Sequence, residues 1–185
     1  MENKNRVINS GNFIPSLEQS KRQIEHYNLD VDAQSILVAS RLMVAGSKLN
    51  HAAEIHFSKF GLSTGRYRLL ADLEDNGGKE LPSQLAEHLD VTRATVTGLI
   101  DILKRDGLVS RESSAEDGRQ KLVALTEKGR SKLIEIAPEH FDWLESIVSL
   151  LTIEERTVFL DLLGRVTQRI SVFVEQSEQL KDIKE

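Results

Sequence analysis

The chain has 185 residues, 39% of them hydrophobic and 29% charged, with a formal net charge of −5 and no cysteine. That balance suits one folded domain, or a small domain with an assembly element. Without cysteine there are no disulfides, thiolate metal sites or thiol-based redox sensing, and no apolar run approaches the ~18 residues of a membrane span.

Residues 1–30 are polar, with Asn, Ser and Gln scattered among few apolar positions. They read as an extension, helical in part over 16–26. Lacking a continuous apolar core, they do not read as a signal peptide, and a cytoplasmic location is expected. A long helical pattern without proline follows over 32–60. Ile36, Leu37, Ser40, Val44, Leu49, Ala52, Ala53 and Phe57 recur at intervals of about three and four, and Gly61 is a suitable stop. Ser63 can cap a second helix carrying Tyr67, Leu69, Leu70 and Leu73, which ends at Gly77-Gly78.

Residues 81–89 form a third helix, with Pro82 in its first turn, where a missing N–H costs nothing. Asp90-Val91 makes a turn, and Thr92 caps a fourth helix that ends at Gly107. Its apolar stripe is Val96, Leu99, Ile100 and Leu103. Two short strands are expected at 108–112 and 121–125, joined by an exposed loop over 113–118. Thr126 then caps a fifth helix, in which Pro138 predicts a kink or break. Thr152 and Glu155 make a capping box for a last helix, carrying Val158, Phe159, Leu162, Leu163, Val166, Ile170 and Phe173. The terminal helices hold more apolar side chains than the small central unit needs. That surplus predicts a homodimer built from 31–60 and 127–178, flanking a winged helix-turn-helix over 61–126.

Charge is distributed unevenly. Residues 92–132 hold nine Lys or Arg against six acids, a surplus of three that leaves −8 on the remainder. A locally basic face on an acidic body can bind DNA while the body resists nonspecific contact. The fourth helix suits major-groove reading, with one face held in a core and polar groups near its N-terminus. Thr92, Arg93, Thr95, Thr97 and Gly98 are the expected contacts, with Ser83 and Lys104 beside them. Gly98 forfeits ~1 kcal/mol of helix propensity relative to Ala, which close approach of another backbone would explain. At the hairpin tip Asp117 can hold Arg119 for a narrow minor groove, while Arg111 and Lys121 sit over phosphates. An ordinary amphipathic helix and a surface hairpin with a routine ion pair would give the same features separately. Their succession favours DNA.

The run beginning at Leu81, LPSQLAEHLDVTRATVTGLIDILKRDGLVSRESSAEDGRQKLVALTEKG, resembles the MarR/SlyA family of bacterial winged-helix regulators. The pattern is Gly107-Leu108-Val109, seven residues, Asp117-x-Arg119, six residues, then Thr126-x-x-Gly129. The helical order extends the resemblance over about 32–175. Gly118 stands where a second basic residue is frequent, and Lys104 where an acidic or aliphatic one is usual. The resemblance implies a mainly α fold with a small β-hairpin wing, and an obligate homodimer of triangular outline whose first, fifth and sixth core helices interlock. It also implies two recognition helices on one pseudo-palindromic operator. Family members are mostly repressors, and many release DNA when a small aromatic or anionic molecule binds between the dimer helices and the winged helix.

For such an effector the candidates are His51, His56, Arg66 and Tyr67: Arg66 for a carboxylate or phenolate, Tyr67 for a ring. Structural or interface roles for all four compete with that reading. His51 and His56 are five apart, about 140° around a helix, so they share no face. Zinc would need His88, His140 or an acid as further ligands, and no metal or cofactor is expected. There is no phosphate loop, GxSxG elbow or HExxH, and no enzyme is expected. The rival reading is a helical interaction module whose winged helix binds protein instead of DNA.

Overall fold

The structure, a computed structural model, describes residues 14–113 and 120–182. The chain divides into two compact units, 1–133 and 134–185. In chain order the elements are α1 (Leu17–Tyr27), α2 (Ala33–Ser58), α3 (Thr64–Asp75), β1 (Lys79–Glu80), α4 (Pro82–Leu89), α5 (Arg93–Arg105), β2 (Val109–Ser113), β3 (Lys121–Leu125), α6 (Glu127–Ile147) and α7 (Ile153–Asp182). The fold is mainly α with one small antiparallel sheet, as the sequence predicts. Among the described residues no helix is long and apolar enough to cross a membrane.

The helix starts are built as their sequences dictate. Ser16 Oγ accepts from the Gln19 amide at 3.1 Å, and Gln19 Oε1 accepts from the Ser16 amide at 2.8 Å. This capping box opens α1 inside the N-terminal extension, and α1 packs on α2. Asp32 caps α2 by accepting from the Ser35 amide and hydroxyl at 2.8 and 3.0 Å. These bonds favour the ionised carboxylate and hold Asp32 below its ordinary pKa.

The core of the first unit lies where α3, α4, α5 and the sheet meet. Leu69, Leu70, Leu73, Leu85, Val96, Leu103 and Val123 are all fully buried, and burying each such side chain is worth ~1.5–3 kcal/mol. The sheet order is β1-β3-β2, all antiparallel, with Lys79 opposite Ala124 and Arg111 opposite Val123. Strand β1 is absent from the sequence-based expectation. It is two residues long and forms because Gly78 O accepts from the Leu125 amide at 2.8 Å, a contact 47 residues away along the chain.

Two glycines fix how α5 leads into the wing. Gly107 takes φ +75°, which turns the chain from α5 into β2 at little steric cost. Gly129, in the first turn of α6, abuts the Leu108 carbonyl and Leu125 so closely that a Cβ would collide with both. That carbonyl also accepts from the Thr126 amide at 3.1 Å and hydroxyl at 3.0 Å. The Thr126 hydroxyl receives the Gly129 amide at 3.1 Å, completing the cap that the sequence predicts.

Helix α6 runs through Pro138 without the break allowed for in the sequence reading. Pro138 is exposed, so water can satisfy a carbonyl deprived of its usual partner. In the second unit Thr152 and Glu155 exchange hydrogen bonds of 2.8 and 3.2 Å and start α7. Exposed apolar side chains run along α7: Val158, Phe159, Leu162, Val166, Ile170 and Phe173.

Candidate nucleic-acid interface

The α4–turn–α5 pair presents one helix face outward. Asp90 adopts a left-handed conformation (φ 53°) at the end of α4, which a short polar side chain tolerates better than most. The Val91 amide returns to Ala86 O at 3.1 Å, and Thr92 opens α5 by accepting from the Thr95 amide at 3.2 Å. Val96, Ile100 and Leu103 are buried to 1% exposure or less. Leu99, half-buried, packs against α3 at Gly65. With that face anchored, Thr92, Arg93, Thr95, Thr97, Gly98 and Lys104 are all exposed.

The exposed hydroxyls are already oriented. Thr92 and Thr95 Oγ1 lie 2.9 Å apart, and Thr97 Oγ1 donates to Arg93 O at 2.9 Å. With its proton so committed, Thr97 offers acceptor lone pairs and a methyl group outward. Arg93 has no ion pair among the described residues. Gly98 meets nothing within 4 Å of where a Cβ would stand, so none of the described residues supplies the close approach its position suggests.

Residues 93, 97 and 101 follow one another at helical spacing of four. Asp101 would repel a polyanion there, but Arg111 Nη2 on β2 holds it at 2.9 Å. The pair neutralises the carboxylate and sets Arg111 beside the exposed face of α5. Asp101 is a member of this surface that the sequence reading missed, because the pairing depends on how the hairpin docks. Lys121 donates to Ser113 Oγ at 2.7 Å across the wing strands. Ser83 is exposed in the first turn of α4, whose start is secured by Gln84 Oε1 accepting from the Leu81 amide at 3.0 Å. The wing tip with Asp117 and Arg119 lies outside the described residues.

The four effector candidates sit in different settings. His51 is exposed, whereas His56 is buried on α2 between Phe57 and Phe60, with ring centroids 5.0 and 5.6 Å away. Tyr67 stacks on Phe57 at 4.1 Å, and burial chiefly, then Asp75, raises its phenol pKa. Arg66 lies 3.7 Å from Asp106 at the C-terminal end of α5 and also donates to Ser63 Oγ at 3.3 Å.

A helix pair with a short turn, an outward-facing second helix and a β-ribbon directly after it define a winged helix-turn-helix protein. A model of the MarR family matches residues 62–121. The HTH-type transcriptional repressor YetL of Bacillus subtilis is 35% identical over 161 residues, 86% of this chain and 96% of that protein. The chain therefore belongs to the MarR family of transcriptional regulators. Two Streptomyces coelicolor regulators share the fold. Sco3205, solved in complex with DNA, superposes with a TM-score of 0.70 at 23% identity, covering 75% of this chain and 89% of that one. PcaV, solved with its natural ligand, gives 0.59 at 22% identity over 68% and 90% of the two chains.

Proposed function

We propose that the protein is a homodimeric repressor that places its two α5 helices in successive major grooves of a pseudo-palindromic operator. The observation carrying this reading is the division of α5. Val96, Ile100 and Leu103 anchor one face at 1% exposure or less, while Thr92, Arg93, Thr95, Thr97 and Gly98 remain exposed. Arg93 is suited to guanine or a phosphate, and the threonines to base edges and thymine methyls. Ser83, Lys104, Arg111 and Lys121 are suited to the backbone, and Arg119 to the minor groove with Asp117 holding it. The half-sites would lie one helical turn apart, ~34–36 Å.

Dimerisation through 31–60 and 127–178 accounts for the apolar side chains that α7 leaves exposed, Phe173 at 66% and Phe159 at 49% among them. Isolated exposed apolar residues are ordinary, whereas a continuous run of them signals an interface. For the effector, a small aromatic or anionic molecule is the expected class, with His51, His56, Arg66 and Tyr67 as its neighbours. An anion that draws Arg66 from Asp106 would act directly on the end of α5. Such a ligand lowers operator affinity by its preference for the dimer state with misplaced recognition helices.

The test is titration of purified protein against duplex DNA over ~50–300 mM salt, with sedimentation run in parallel. A dimer whose affinity falls steeply with salt supports the reading. A protein that shows no salt-dependent affinity for any duplex is instead a helical interaction module.

A further inference from the structure

Away from the exposed face of α5, three elements bring two carboxylates and an imidazole together. Asp72 lies on α3, Glu80 on β1 and His88 on α4, and one potential ligand atom from each lies within 4.8 Å of the others. His88 Nδ1 is 3.2 Å from Asp72 Oδ2 and 3.3 Å from Glu80 Oε1. A zinc ion bound at ~2.0–2.1 Å in tetrahedral geometry separates its own ligand atoms by about 3.3 Å.

A single imidazole nitrogen faces both carboxylates. A neutral imidazole carries one N–H, so His88 Nδ1 can serve only one of the two carboxylates. Glu80 Oε2 has no hydrogen-bond donor, although the side chain is only 7% exposed. Burial chiefly, then the adjoining Asp72 carboxylate, pushes the Glu80 pKa up to about 7. The His88 pKa is also raised, first by its hydrogen bond to Asp72 and further by the field of Glu80, Asp72 and Glu87. Neighbouring cations are engaged elsewhere: Lys79 with Glu112 at 2.6 Å, Arg68 with Leu89 O at 3.2 Å, Arg130 with Glu74 at 3.1 Å. A bound divalent ion relieves a buried carboxylate of this kind directly.

We propose that Asp72, Glu80 and His88 bind one zinc-type divalent cation, each carboxylate giving one oxygen and His88 giving Nδ1. This revises the sequence expectation that no metal binds. His88 is 40% exposed along its side chain, which leaves an approach from solvent and room for water as the fourth ligand. The imidazole selects zinc over magnesium or calcium, which prefer oxygen alone. The ion would tie α3, β1 and α4 together, so it stabilises the winged helix by binding only the folded state. The inference stands apart from the DNA reading, because metal binding is measured without DNA.

The experiment is calorimetric titration of the full chain, stripped with a chelator, with zinc chloride at pH 7.5, paired with thermal melts. The expected result is one zinc per chain and a melting point raised by several degrees, with no such rise from magnesium. Asp72→Asn and His88→Ala should each weaken binding at least tenfold and abolish the zinc-dependent rise. Absence of zinc binding overturns the proposal. So does binding undiminished in both variants, which would place the ion elsewhere, for example at His51 or His140. Imidazole nitrogen NMR on the unsubstituted chain decides the matter even if a variant fails to fold. His88 Nδ1 must shift on zinc addition while His51 does not, and the reverse pattern refutes the site.

Discussion

Gly98→Ala should make the protein more stable and a poorer DNA binder at once. Gly98 sits inside α5 with helical neighbours on both sides, and an added methyl group meets nothing within 4 Å. Replacing a helix-interior glycine by alanine under those conditions gains ~0.8–1.0 kcal/mol from the lower backbone entropy of the unfolded chain. For a chain of this length that is a rise of about 2–4 °C in melting temperature. The same methyl projects from the exposed face that carries Thr95 and Thr97. If that face lies against DNA, the helix must retreat to admit it, and affinity should fall by roughly tenfold, ~1.4 kcal/mol. Gly98→Leu should be nearly as stable and bind worse still. Urea or thermal melts give the first quantity and fluorescence anisotropy with an operator duplex the second. Opposite signs exclude general misfolding as the cause. Unchanged affinity in both variants would show that this face of α5 does not meet DNA. A loss of stability would reveal a close contact from a second subunit.

Four further outcomes are expected. Arg119→Ala should weaken binding and reduce the salt slope by about one; an unchanged slope counts against wing contact. Leu162→Asp, at a position 48% exposed within the apolar run of α7, should yield monomers without operator affinity, and an intact dimer on sedimentation would refute the interface. Gly129→Ala should destabilise by about 1–3 kcal/mol or more through overpacking, because the opposing Leu108 carbonyl is held by two bonds from Thr126; a neutral change in the urea midpoint would contradict that packing. Glu80, raised from 4.5 to about 7 in the fold, contributes stability that is present below its unfolded pKa and lost as pH rises through about 7. In metal-free buffer Glu80→Gln should therefore gain on the parent chain as pH rises through about 7. Parallel stability curves would contradict the burial argument.

Features governed by local chemistry were legible in the sequence. Thr92, Thr126 and Thr152 each cap the helix predicted for them, since a cap depends on residues within a turn of itself. The stripe Val96, Leu99, Ile100 and Leu103 identified the anchored face of α5, and hence the exposed one. What depends on distant partners was not legible. Strand β1 exists only through its pairing with β3, and Asp101 meets Arg111 only once the hairpin has docked. Tyr67 offers its ring to Phe57 on a neighbouring helix, where periodicity left it available to a ligand. Asp72, Glu80 and His88 are eight residues apart along the chain and sit on three different elements, a spacing that matches no metal motif. Pro138 was read from propensity alone, whereas its exposed setting allows α6 to continue.

A dimer that reads DNA is tested most directly by selection of genomic fragments with the purified protein at ~0.15 M salt, followed by sequencing. Such a dimer should enrich an inverted repeat whose half-sites are centred about one helical turn apart, with the enrichment lost in Arg93→Ala. Enrichment of no sequence, by protein shown to be free of bound ligand, would contradict it.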